Sequence, residues 1–267
     1  MGMRAVKDVL AHPVVRRVSP EISRKMVEAY WKAKSRSLGP ITLGDLDPEI
    51  VFVWIPKAAG SSMARWLRKN HGLTSAHNIG RLALKSFPDY PAHRGVTLGH
   101  QNVDSLVTLG LLQPEKLNRA FSFAIVRNPY TRLVSLWRYL ITLRDFPPSR
   151  GFDDFVGAVA QEKPRPGAYN VCGLSMASPM SSFTTQSHWS GPREIFHFEQ
   201  LEHAVSRLQS QLGISGDFPQ MNVGEKIAGS LPISRKTVST IQRIYETDFD
   251  AFGYDIEPPS NRFHLTK

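Results

Sequence analysis

Lys57-Ala58-Ala59-Gly60-Ser61-Ser62 is a run of residue types that can hold an oxyanion. The lysine supplies a point charge and the two serines supply hydroxyl donors. The alanines and the glycine keep bulk away from an approaching ligand. Seventy residues further on, Arg127 offers a guanidinium that can grip a phosphate through two parallel N–H donors, and Ser135 offers a hydroxyl within reach of the same group. His100 lies between them in sequence. An imidazole titrates near neutrality and can take a proton from an attacking hydroxyl. Each piece also has a plainer reading: a strand-to-helix turn with an exposed lysine, a surface arginine, a structural histidine. The pattern of the P-loop nucleoside triphosphatases is absent, because the lysine precedes the glycine and no Ser or Thr directly follows the lysine to hold magnesium. That argues against an ATP–magnesium ligand.

The elements around these residues place them at one edge of a sheet. Val51-Phe52-Val53-Trp54-Ile55 is β-branched and aromatic and reads as a buried strand ending at Pro56. Met63, Trp66 and Leu67 then recur at helical spacing, so residues 57–62 form a turn running into a helix N-terminus that ends near His71. Such a terminus presents unpaired N–H groups and the positive end of a dipole. Residues 96–100 read as a short strand with His100 at its end, and residues 121–126 as a strand that delivers Arg127. Asn128-Pro129 opens a helix over about 131–143, which carries Ser135. Further expectations are a strand at 194–198, a helix over 199–212 and one long helix from Ser234 to Phe249. Residues 73–95 and 145–190 are proline-punctuated or weakly periodic and read as loop-rich connections. Glu199 reads as a helix-start acid, and Asp248 and Trp189 as structural residues. His188 and Trp189 lie where an acceptor could be touched, and Arg235 and Lys236 read as solvated charge or as charge near a nucleotide.

The chain has 267 residues, 41% of them hydrophobic, enough for one sizeable α/β unit. Lys and Arg number 33 against 23 Asp and Glu, for a net charge of +10. That balance favours an anionic partner, yet the basic residues are scattered, which speaks against nucleic acid. Cys172 is the only cysteine, so no internal disulfide forms and a reducing compartment fits. No Cys/His spacing suits zinc. No apolar run approaches the roughly 20 residues that a membrane-spanning helix needs, and the N-terminus lacks a secretory core. The chain reads as cytoplasmic.

Trp-Ile-Pro-Lys57-Ala-Ala-Gly-Ser-Ser together with Arg127-Asn-Pro-Tyr-Thr-Arg-Leu-Val-Ser135 resembles the sulfotransferases, in particular the family of carbohydrate sulfotransferases and heparan sulfate 2-O-sulfotransferase. Phe198-Glu-Gln-Leu201, Met221-Asn-Val223 and Ile244-Tyr-Glu-Thr-Asp-Phe249 through Tyr254 agree, so the likeness runs over about residues 48–256. Ala58 and Ser61 depart from it, standing where threonine is common. The resemblance implies a single α/β domain over residues 48–267, with a mainly parallel sheet flanked by helices in a P-loop-kinase-like fold. It implies 3′-phosphoadenosine 5′-phosphosulfate (PAPS) as donor, 3′-phosphoadenosine 5′-phosphate (PAP) as product, and no metal. Residues 57–62 then hold the 5′-phosphosulfate, Arg127 and Ser135 the 3′-phosphate, and Lys57 and His100 act in catalysis, His100 as base. The acceptor is a hydroxyl of a carbohydrate or glycolipid.

Two rivals stand beside this reading: a kinase-like enzyme on a similar phosphate loop, and a protein that binds an anionic ligand without chemistry. Residues 1–47 match nothing in the resemblance and form a basic extension. Ser19-Pro20-Glu21 starts a helix there whose outer face carries Arg24, Lys25, Lys32, Lys34 and Arg36. That face is either simply solvated or brings the protein peripherally to the inner surface of an anionic membrane.

Overall fold

The computed structural model describes residues 50–71, 74–75, 95–97, 114–143, 145–161, 175–185, 189–219 and 230–266. The basic helix expected near residues 20–38, together with His100, Cys172 and His188, lies outside the described residues.

Five strands form one sheet: β1 (Ile50–Val53), β2 (Thr74–Ser75), β3 (Gly95–Thr97), β4 (Phe121–Val126) and β5 (Glu194–His197). Their order is β2-β3-β1-β4-β5 and every pairing is parallel. This is the expected α/β architecture. The chain leaves β1 toward β2 and β3, whereas β4 lies on β1's other side. The C-terminal ends of β1 and β4 therefore flank a topological switch point, where open α/β sheets bind ligands. All four residues of β1 are buried, as a central parallel strand requires. Phe52 stacks on Phe123 of β4 with ring centroids 4.8 Å apart, which fixes the two site-bearing strands side by side.

The helices are α1 (Gly60–His71), α2 (Pro114–Arg119), α3 (Pro129–Thr142), α4 (Phe152–Gln161), α5 (Ser181–Thr184), α6 (Leu201–Leu212), α7 (Arg235–Ile244) and α8 (Glu246–Phe252). A one-turn 3-10 helix, Phe198–Gln200, joins β5 to α6. α3 begins as its sequence dictates: the Asn128 side chain accepts from the N–H groups of Tyr130 and Thr131, and Pro129 fills the first helical position. A second, two-stranded parallel sheet pairs β6 (Leu231–Ser234) with β7 (Phe263–Thr266). One apolar cluster lies around β1, α1, β4 and α6, and it includes Trp189. Another gathers α3, α4, α7 and α8. Among the described residues, no helix is long and apolar enough to cross a membrane.

The long helix expected from Ser234 to Phe249 is two helices broken at Tyr245, whose φ of −113° and ψ of 21° leave the helical region. Tertiary contacts surround the break. Tyr245 turns its hydroxyl into the core to donate to the Ala177 carbonyl at 2.5 Å. One turn on, Asp248 is fully buried and accepts from the N–H groups of Met180 and Ser181, both at 2.8 Å. α8 then stops at Gly253, whose φ of 64° suits a residue without a Cβ. β2, β6 and β7 were not anticipated. They are two to four residues long and carry too little period to read.

Burial pushes the Asp248 carboxyl upward, while the Arg132 guanidinium and the two N–H donors favour its charged form. Asp248→Ala strands two buried N–H donors and removes the negative charge that offsets the nearby Arg132. It should cost about 3–5 kcal/mol, lowering the thermal midpoint by roughly 6 °C or more. Asp248→Asn, which keeps one acceptor, should cost less.

Candidate functional site

The turn from Pro56 to Ala59 joins β1 to α1. Its backbone is the unusual feature of the site. Lys57 has φ 65° and Ala59 has φ 58°, with Ala58 between them on the ordinary side. Alternating signs of this kind curl successive N–H groups toward one point, making a concavity for an anion. Among the described residues, no hydrogen bond of good geometry ties the N–H groups from Ala58 to Ser61 to an acceptor. The first bond into the helix is Met63 N–H to the Ala59 carbonyl, at 3.0 Å. Left-handed backbone at a residue with a side chain costs about 1–2 kcal/mol each, so something must hold it.

Two arginines do. Arg127, the residue after β4, donates from Nη1 to the Lys57 carbonyl at 3.3 Å. Arg132, on α3 and 1% exposed, donates from Nε to the Pro56 carbonyl at 3.1 Å. Its Nη2 donates to the carbonyls of Met176 and Ser178 at 2.9 and 2.8 Å. Arg132 Nη1 is buried without a partner among the described residues. With their carbonyls held by guanidinium groups, Pro56 and Lys57 cannot turn them toward the ligand side.

Gly60 opens α1 over the buried Trp54 indole. A Cβ at this position would meet Trp54 Nε1 at 1.8 Å and Cδ1 at 2.0 Å, so no larger residue fits without moving the ring. Ala58 is buried, Ser61 is exposed at the helix start, and Ser62 is buried. The sequence singled out these small residues for keeping bulk away from the ligand. The structure adds that Gly60 is small for the sake of the indole behind it.

Arg127 is held on three sides. Its backbone N–H points at Met180 Sδ at 3.4 Å, its Nε donates to Thr131 Oγ1 at 3.2 Å, and its guanidinium carbon lies 4.1 Å from the Phe198 ring centroid. The stacked ring leaves the edge of the guanidinium to meet an anion. Burial lowers its pKa to about 10, and the Glu199 charge acts in the opposite direction. Glu199 is turned to other donors: Asn128 N–H at 2.9 Å and the Tyr254 hydroxyl at 2.9 Å. It therefore fixes the start of α3 and the end of α8, beyond the expected role of a helix-start acid. Burial, then the Glu199 charge, pushes the Tyr254 hydroxyl upward, keeping it a donor.

Ser135 lies half-buried on α3, one helical turn beyond Thr131. Arg127 reaches Thr131, a residue the sequence did not single out. Lys57 is half-buried, and its pKa falls to about 8, through burial first and the Arg127 charge second. Arg235 and Lys236 open α7 at exposed positions. Lys57, Gly60, Ser61 and Arg127 thus meet at the ends of β1 and β4, with Ser135 further along α3. His100 lies outside the described residues.

Gly60→Ala should drive the Cβ into the indole, cost about 1–3 kcal/mol and weaken binding of a phosphorylated nucleotide. Trp54→Leu in the same chain should recover part of both losses, read by thermal unfolding and nucleotide titration. Strict additivity of the two changes would remove the steric account.

The model of the sulfotransferase family matches residues 44–255. Two solved structures overlay loosely. A sulfotransferase from Alicyclobacillus acidocaldarius is 14% identical with a TM-score of 0.42, covering 78% of this chain and 96% of its own. The mouse sulfotransferase SULT7A1 complexed with PAP is 14% identical with a TM-score of 0.41, covering 86% of this chain and 77% of its own. At these scores neither overlay bears on the details of the site. No curated protein matches the sequence. With the family's match extending over most of its length, and both of its quoted motifs meeting at one sheet edge, the chain belongs to the sulfotransferase family.

Proposed function

We infer that the protein transfers a sulfuryl group from PAPS to a hydroxyl of a carbohydrate or glycolipid acceptor. The observation that carries this reading is the strained turn at Lys57–Ala59, whose backbone Arg127 of the neighbouring strand clasps at 3.3 Å. An anion nest, a lysine and a guanidinium within one crevice fit a ligand with phosphate at two ends better than a lone phosphate. The nest, with Gly60, Ser61 and Ser62, would take the 5′-phosphosulfate, and Arg127 with Ser135 the 3′-phosphate.

In the reaction the acceptor oxygen forms a bond to sulfur as the bond from sulfur to the 5′-phosphate oxygen breaks, and PAP leaves. Negative charge grows on that oxygen, and the Lys57 ammonium with the nest N–H groups offsets it. The acceptor proton goes to a base, which the family resemblance assigns to His100. The carbohydrate or glycolipid class of the acceptor likewise rests on the family, and acceptor choice is assigned to residues 73–95 and 145–190. The basic extension is proposed to bring the protein to an anionic membrane. Failure to bind anionic vesicles at low salt would remove that part.

Transfer of radiolabelled sulfate from PAPS to an oligosaccharide or glycolipid panel tests the reading. His100→Ala should lower turnover by about 100-fold or more while PAP still binds. Lys57 is a cation only below its pKa of about 8 in the free protein. On the alkaline side PAP affinity should therefore hold to about pH 7 and fall by up to about tenfold per pH unit above 8. Phosphoryl transfer from ATP–magnesium with no sulfate transfer would replace this reading by a kinase.

A further inference from the structure

Tyr139 lies near the end of α3, and Lys57 Nζ sits 3.9 Å from its ring centroid. Among the described residues this ring is the contact that the ammonium makes. Thr131, Ser135 and Tyr139 follow one another at four-residue spacing, so they stand along one face of α3, about 6 Å apart. That face meets both cations of the site: Thr131 takes Arg127 Nε and Tyr139 takes Lys57 Nζ.

The choice of an aromatic partner has a physical consequence. Lys57 is half-buried beside the Arg127 charge, and both circumstances disfavour its ammonium form. A carboxylate at position 139 would restore the charge, but it would also neutralise the crevice and repel an arriving anion. A ring face attracts the ammonium through its quadrupole and carries no net charge. The ammonium is thus fixed in place without being cancelled. Tyr139 is 37% exposed and lies outside both apolar clusters, so core packing does not account for its position.

We propose that Tyr139 is a positioning residue, whose ring holds the Lys57 ammonium at the mouth of the nest, ready for the anionic end of the donor. The role in donor binding rests on the reading under Proposed function; the contact itself does not.

The test uses the full chain with lysines carrying 13C at Cε, the Lys57 resonance being assigned by its loss in Lys57→Ala. In the free wild-type protein the Lys57 Cε protons should be shifted upfield by the ring current, and Tyr139→Phe should keep that shift. Tyr139→Leu preserves apolar bulk and removes the quadrupole. It should abolish the shift, lower the titration midpoint by roughly half a pH unit and weaken PAP binding by about 2- to 5-fold. An unshifted wild-type resonance would overturn the proposal, as would Phe losing as much PAP affinity as Leu. If no nucleotide binds the wild type while the ring-current shift is present, the donor reading falls and the positioning of Lys57 stands.

Discussion

Two guanidinium groups hold one strained turn, and most of the structure around the site follows from that constraint. Lys57 and Ala59 occupy a backbone region that residues with side chains avoid. The turn persists because Arg127 and Arg132 bind the carbonyls of Lys57 and Pro56. Arg127 can reach only if β4 lies beside β1, which the stacked Phe52 and Phe123 rings enforce. Arg132 can reach only if α3 starts immediately after β4. The Asn128 cap, with Pro129 at the first helical position, sets that start. The remaining hydrogen bonds of Arg132 carry the constraint outward to Met176 and Ser178, and Asp248 holds the next two residues but one from α8.

The same arrangement accounts for the charge of the site. Lys57 and Arg127 bring two cationic side chains to one crevice, both desolvated enough for their pKa values to fall. The nearby carboxylates are turned elsewhere. Glu199 accepts from Asn128 and Tyr254, and Asp248 accepts from backbone N–H groups in the core. Carbonyl dipoles and aromatic faces stabilise the cations in their place, as with Phe198 over Arg127 and Tyr139 under Lys57. Dipoles and quadrupoles make the cations tolerable without lowering the net charge, so the crevice still gains from receiving an anion.

The sequence made the local part of this legible. A β-branched strand running into small residues, and a second strand running into Arg-Asn-Pro, place both halves of the site at strand ends, because each signal is contained in a dozen neighbouring residues. The partners were not legible. Arg132 joins Pro56 across 76 positions, and Met180 joins Arg127 across 53. Nothing in helical periodicity separates Arg132, which is buried, from an arginine on a solvated face. Nothing local marks Tyr139 within the expected helix, since its contact depends on where Lys57 comes to rest. The break at Tyr245 was missed for a similar reason. The local pattern favours one helix, and the contacts of Tyr245 and Asp248 with residues 177–181 around the break are tertiary. Left-handed backbone at Lys57 and Ala59 had no sequence signal, because neither residue prefers it.

The most direct test of the account is thermal unfolding of the full chain with PAP, against ADP and ATP–magnesium at equal concentration. A ligand at 100 times its dissociation constant adds about 2.7 kcal/mol, which for a chain of this size is a shift of roughly 5–10 °C. The account predicts that shift with PAP alone, and its loss in Lys57→Ala and in Arg127→Ala. Equal shifts with ADP or ATP–magnesium, or a PAP shift that survives both substitutions, would contradict it.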